Sequence, residues 1–157
     1  MDFAHTAKVS ALRQKLAEFM ERFVYPNERN YYEQIEASGD KHHRPKILEE
    51  LKAKAKDAGL WNLFLPDPTY GAGLTNLEYA PLAEVMGRVL WGSEVFNCAA
   101  PDTGNMEILA QFGTEAQKKQ WLEPLLGGRI RSGFSMTEPM AAGSDPTQMQ
   151  TTAVRDG

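Results

Sequence analysis

Apolar residues recur at spacings of three and four from the N-terminus to Leu126, and alternate with polar ones only after the Gly127-Gly128 pair. Val9, Leu12, Leu16, Phe19 and Phe23 place one apolar face on a first helix, which the pattern ends before Pro26. A more polar helix follows over 27–37, closed by Ser38-Gly39. After the charged loop 40–44, Ile47, Leu48, Leu51, Ala55 and Ala58 mark a third helix, with Pro45 suited to its first turn and Gly59 to its C-terminal cap. Residues 60–65 form a short apolar run stopped by Pro66 and Pro68, and Tyr70-Gly71-Ala72-Gly73 is a turn.

Thr75 and Glu78 have the spacing of a capping box, so a helix starts at Thr75 and runs toward Leu90 on Leu82, Val85 and Met86. Pro81 conflicts with it and predicts a kink or a late start. A further helix spans about 103–112 and ends at Gly113. Thr114 with Gln117 is a second capping box, opening a helix that carries Trp121, Leu122 and Leu125. Past Gly128, Ile130, Ser132, Phe134 and Met136 share one face of an extended strand, and 150–155 reads as a second strand leading into the hairpin signal Asp156-Gly157. A hairpin without its return strand leaves unpaired backbone groups. The expectation is therefore a mainly α chain: an orthogonal helical bundle over 1–128, then over 129–157 the first strands of an incomplete, truncated β-barrel domain.

Composition narrows the class. A chain of 157 residues that is 42% hydrophobic and 24% charged is long enough for a real core. A net charge of -4 without a basic stripe gives no reason to expect nucleic acid as a partner. No apolar run approaches a membrane span. The single cysteine, Cys98, cannot pair internally and fits a reducing compartment; no histidine is placed to activate it. With neither a secretory nor a transit signature, the expected location is the bacterial cytoplasm, an organellar matrix after processing being the alternative. Lys41-His42-His43-Arg44 is a solvated loop with too few ligands for zinc, so no metal is expected.

The chemistry lies near the C-terminal end. Phe134-Ser135-Met136-Thr137-Glu138-Pro139, then Gly143-Ser144-Asp145 and Thr151-Thr152-Ala153, resembles the flavin- and substrate-contacting signature of the acyl-CoA dehydrogenases. Taken alone such a polar loop says little. Collinear matches support it: Tyr70-Gly71-Ala72-Gly73 is similar to the family's Tyr-Gly-Gly-x-Gly turn, and Glu84-Val85-Met86-Gly87-Arg88 to its Glu-x-x-(Gly/Ala)-Arg helix. Phe112-Gly113-Thr114-Glu115-Ala116-Gln117-Lys118 resembles Phe-Gly-Thr-Glu-x-Gln-Lys, and Leu122-Glu123-Pro124-Leu125-Leu126-Gly127-Gly128 resembles Leu-x-Pro-Leu-x-x-Gly. The spacer Met140-Ala141-Ala142 is one residue longer than the family's usual one. With the stretch 96–106, it resembles the subfamily that in animals is sometimes fused behind a phosphotransferase-like domain.

The resemblance implies FAD as cofactor, acyl-CoA as substrate and oxidation of its α,β carbon–carbon bond to trans-2-enoyl-CoA, with electron-transfer flavoprotein as acceptor. Phe134, Met136, Thr137 and Gly143 would contact the flavin and Ser144 the CoA moiety, while Asn97 and Met106 fall where the family lines its acyl-chain pocket. For Phe134 and Met136 core packing is the competing role, and for 97–106 an ordinary interhelical connection. The family's base is a glutamate of a C-terminal helical domain, so no catalytic residue is assigned here. Glu138 is a structural acceptor for turn amides. The same domain carries the contacts that make the family oligomeric, and acyl-CoA oxidases and flavin monooxygenases share the N-terminal architecture. An alternative is a helical interaction module or a catalytically inactive, truncated homologue.

Overall fold

Thr6 starts the first helix, its side chain accepting the Val9 amide at 3.2 Å and satisfying a donor that a helix start leaves open. In the computed structural model, which describes residues 4–156, α1 (Ala7–Phe19) buries Val9, Leu16 and Phe19. Helical structure does not stop before Pro26. It passes through a π turn (Met20–Val24) and a 3-10 turn (Tyr25–Asn27) into α2 (Glu28–Ser38), closed by Gly39 in the left-handed region. Proline lacks an N–H and crowds the carbonyl four residues back. The wider turn, in which the Tyr25 amide donates to the Met20 carbonyl, opens the backbone just before it. The Asn27 side chain donates to the Phe23 carbonyl at 2.8 Å, taking up an acceptor that its own backbone amide would use in a regular α-helix.

α3 (Lys46–Asp57) buries Ile47, Leu48, Leu51 and Ala55; Pro45 is its N-cap, one position earlier than the sequence suggests, and Gly59 follows its end at φ 64°. Gly71 is required by space, since a Cβ there would collide with the Leu65 carbonyl. α4 (Asn76–Met86) opens on the complete Thr75–Glu78 capping box, with no late start, and carries Pro81 inside it. It ends at Met86, short of Leu90, which is fully out in solvent. α5 (Gly92–Val95) is a single turn, and α6 (Asp102–Phe112) ends at Gly113.

The expected helix after Thr114 is one path in three pieces: α7 (Glu115–Gln117) behind its capping box, a second π turn (Lys118–Leu122), and α8 (Glu123–Leu126). Again a proline, Pro124, stands just beyond the π turn. α1 packs on α4, α3 on α5, and α6 on the 118–122 turn around one core that includes Leu16, Met20, Leu51, Leu82, Phe96 and Leu122. Phe19 meets Phe96 edge-on at 5.3 Å, and Tyr31 stacks on Trp91 at 4.2 Å.

The mainly helical bundle expected from the sequence is what forms. The two expected strands, 130–136 and 150–155, are non-helical but build no ladder among the described residues. Extended backbone becomes sheet only when its amides find partner carbonyls. Here the two stretches are joined by a side chain, Glu138 accepting the Gln150 and Thr151 amides at 2.9 and 2.7 Å. Gly157 of the hairpin signal lies outside the described residues.

Candidate functional site

Asp102 opens α6 and is only 3% exposed, the one buried carboxylate among the described residues. A carboxylate in such a place is tolerated when paired and hydrogen-bonded. Its Oδ1 accepts the Ser132 backbone amide at 2.7 Å and the Ser132 hydroxyl at 2.6 Å, and its Oδ2 pairs with Arg131 Nε. The Arg131 guanidinium also pairs with Glu94 on α5, whose Oε1 takes Lys52 Nζ of α3 at 3.1 Å. Lys52 reaches Glu49 at 3.3 Å, and Arg44 reaches Glu49 at 2.8 Å. Burial would raise the Glu94 pKa, but the Lys52 and Arg131 charges outweigh it and hold the carboxyl below its ordinary range. Alternating charges thus run from α3 through α5 to α6 and end on residues 131–132.

The chain after Gly128 is laid against the first turn of α6. Asn105 Nδ2 donates to the Ser132 hydroxyl at 2.8 Å, and a side chain at Gly104 would begin 3.5 Å from the Phe134 ring. Beyond Ser132 the backbone is unclaimed: no amide from Gly133 to Thr137 donates to another described residue, and neither does the Thr137 hydroxyl. Phe134 and Met136 are exposed, as are Thr137 and Ser144. The Gly143 turn folds back on this stretch, a Cβ there falling 3.5 Å from Thr137 Cα and 3.7 Å from the Met136 carbonyl oxygen. Gly143 is therefore brought against Met136 and Thr137, on a stretch whose backbone donors are free, while Phe134 lies toward Gly104 of α6.

Asn97 and Met106 lie inside the bundle. Asn97, at φ 55°, donates from Nδ2 to Asn62 Oδ1 at 2.7 Å and to the Leu125 carbonyl at 3.0 Å, with Met106 Sδ at 3.9 Å. Asn62, at φ 54°, and the Trp61 indole both donate to the Leu126 carbonyl, and Lys56 to that of Gly127. This polar knot satisfies carbonyls that the end of α8 leaves open. Met106 is fully buried.

Cys98 is buried and its thiol is pushed up to about 11 by burial, so it is no nucleophile at neutral pH. Hydrogen bonds from Thr151 and Gln150 hold the Glu138 carboxyl below its ordinary range, as suits an ionised turn acceptor. A cleft of about 310 Å³ opens on the other part of the charge network, between Tyr31, the exposed loop 41–44, Glu94 and Arg131. None of the residues 134–144 lines it. Among the described residues no group of His, Cys, Asp and Glu is arranged to hold a metal, and no helix is long and apolar enough to cross a membrane. Asp102, Arg131 and Glu94 escape the sequence reading because their partners are far apart along the chain. The one signal available was an acid just ahead of the helix expected over 103–112 and an arginine, Arg131, in the stretch that follows Gly128.

The chain matches the family model "Acyl-CoA dehydrogenase, N-terminal domain" over residues 6–129. It is 56% identical to "Probable acyl-CoA dehydrogenase FadE2" of Mycobacterium tuberculosis, an alignment that takes in 100% of this chain and 38% of that protein. It is also 56% identical to "Acyl-CoA dehydrogenase family member 10" of Mus musculus, over 90% of this chain and 14% of that one. Among solved structures, one assigned as an acyl-CoA dehydrogenase from Mycobacterium abscessus superposes with a TM-score of 0.89 at 52% identity, covering 98% of this chain and 40% of that chain. The chain therefore spans less than half the length of these relatives, and its helical bundle belongs to the acyl-CoA dehydrogenase family.

Proposed function

We propose that this chain serves as the N-terminal part of an FAD-dependent acyl-CoA dehydrogenase that oxidises the α,β bond of acyl-CoA thioesters to trans-2-enoyl-CoA. The observation that carries the reading is the surface at 133–137, where free backbone donors and the Thr137 hydroxyl stand beside two exposed apolar side chains. A flavin ring has apolar faces and a rim of hydrogen-bond acceptors, so these residues fit it. FAD, when bound, supplies the acceptor for the hydride that leaves the β-carbon. Thr137 donates to the ring's polar edge, Phe134 and Met136 cover a face, Gly143 keeps the opposite wall low, and Ser144 meets the CoA moiety. Removal of the α-proton belongs to a carboxylate in the family's C-terminal helical domain, and neither Glu123 nor Glu138 takes that part. Electron-transfer flavoprotein as acceptor, a homo-oligomer and a cytoplasmic location complete the proposal. Residues 129–157 are in it the opening of the β domain.

The test is the visible flavin band of the loaded protein, mixed without oxygen with saturated acyl-CoA thioesters of graded length. Bleaching together with formation of trans-2-enoyl-CoA is the expected result. A flavoprotein that no chain length bleaches would leave an interaction module as the better description. The 157 residues alone are expected to lose FAD on gel filtration, because partial contacts do not offset the cost of association.

A further inference from the structure

We propose that Asp102 is a positioning residue, whose carboxylate sets the register at which residues 131–137 lie on α6 and so fixes where Phe134 and Thr137 meet the flavin. The proposal rests on the flavin reading above. Its evidence is the asymmetry of the hydrogen bonds around Ser132. Three donors from two successive residues, Arg131 Nε, Ser132 N–H and the Ser132 hydroxyl, converge on this one carboxylate. Asn105 supplies the hydroxyl with its donor, so both the N–H and the hydroxyl of Ser132 are engaged. From Gly133 to Thr137 no backbone amide is bonded to a described residue. No ladder therefore holds the register of this stretch, and the clamp at Asp102 sets it instead.

A small error there has a large effect. Side chains of extended backbone alternate between faces, so a slip of one residue exchanges the face carrying Phe134 and Met136 for the one carrying Ser135 and Thr137. The clamp works against slippage from both ends of its short span. Upstream, Gly128 is packed so closely on Trp61 that a Cβ there would fall 2.9 Å from the indole ring; downstream, the Phe134 ring rests over Gly104. Glu94 supports the clamp from α5 by sharing the Arg131 guanidinium, which ties the register to the same helices that form the core.

Amide hydrogen exchange on the full chain reads the clamp without flavin. Asp102→Ala should raise exchange at Ser132 by at least about tenfold, the loss of a charge-assisted bond, while amides of α4 change little. Asp102→Asn keeps an acceptor for Ser132 and should restore most of its protection. If Asp102→Ala fails to fold, Ser132→Ala replaces it, with exchange expected to rise several-fold at position 132 while the amides of α4 change little. Unchanged exchange at Ser132, or an equal rise throughout the core, overturns the clamp. In the flavin-loaded protein that also carries the rest of the β domain and the C-terminal helical domain, Asp102→Asn should alter the visible circular dichroism of the flavin and lower kcat more than it raises KM. If the clamp variants change exchange but leave flavin dichroism and kcat as they were, Asp102 does not position the cofactor. A protein extended through the whole β domain and C-terminal helical domain that takes up no flavin defeats the functional reading instead, while the exchange result still decides the clamp.

Discussion

Replacing Asn97 tests whether the polar knot holds the bundle together. Asn97→Ala removes the donor to Asn62 Oδ1 and to the Leu125 carbonyl. The two losses differ. The Leu125 carbonyl keeps the Gly128 amide at 2.9 Å, so that bond is worth about 1 kcal/mol. Asn62 Oδ1 has no other donor among the described residues and is left buried and unpaired, at about 1–3 kcal/mol. Alanine at φ 55° adds roughly 1–2 kcal/mol of left-handed strain. The sum is about 3–6 kcal/mol, a large part of the ~5–15 kcal/mol typical of a domain. Asn97→Gly loses the same bonds without the strain, but gains about 0.4–1 kcal/mol of entropy in the unfolded chain. Glycine should therefore be the milder of the two by roughly 0.5–1 kcal/mol. Urea unfolding followed by helix circular dichroism measures all three proteins. An Asn97→Ala protein within about 1 kcal/mol of the parent would refute the knot.

Glu94, whose pKa is lowered on folding, gives stability that is full above its unfolded value near 4.5 and lost as pH falls through the folded one. Urea melts at falling pH should show this loss in the parent and its absence in Glu94→Gln; parallel curves would contradict the network. Gly71→Ala should cost on the order of 1–3 kcal/mol, because its Cβ meets the rigid Leu65 backbone, and a neutral thermal melt would show the turn to be looser than described. In flavin-loaded protein, Thr137→Val should reduce flavin retention and rate more than Ser144→Ala. It strands an acceptor of the ring in a desolvated place, at ~1–3 kcal/mol, whereas water can stand in for the exposed Ser144 hydroxyl. The opposite order of effects would mean that the longer spacer Met140-Ala141-Ala142 shifts the motif's register.

Local signals reported local structure well. The capping boxes at Thr75 and Thr114, the glycine stops at Gly39, Gly59 and Gly113, and the helix end ahead of Gly127-Gly128 each depend on neighbours a few residues away, and the structure follows them. What escaped depends on distance. Asn97 finds Asn62 thirty-five positions back, and Arg131 finds Glu94 thirty-seven back, which no periodicity records. The motif at 134–144 was legible as a flavin edge only through its resemblance, since a solvent-exposed Phe-x-Met looks the same as half of a core strand. Pro26 was misread for another reason: proline was taken as a terminator, whereas a π turn ahead of it lets the helical path continue.

Those two π turns change how the chain tolerates length. Each contains one residue more than the α-helical path needs, and one residue of α-helix is a rotation of about 100°. Everything C-terminal to the second turn is thereby rotated relative to the Thr114 cap, and in that phase Leu122 and Leu125 point into the core. Deleting a single residue from 118–122 would restore a uniform helix and turn those two leucines outward. It would also move the Leu125 and Leu126 carbonyls away from Asn97, Asn62 and Trp61. The shortened chain would have to give up either its start at Thr114 or its anchorage at α8. Substitutions along this helix face are accordingly far safer for the fold than a one-residue deletion.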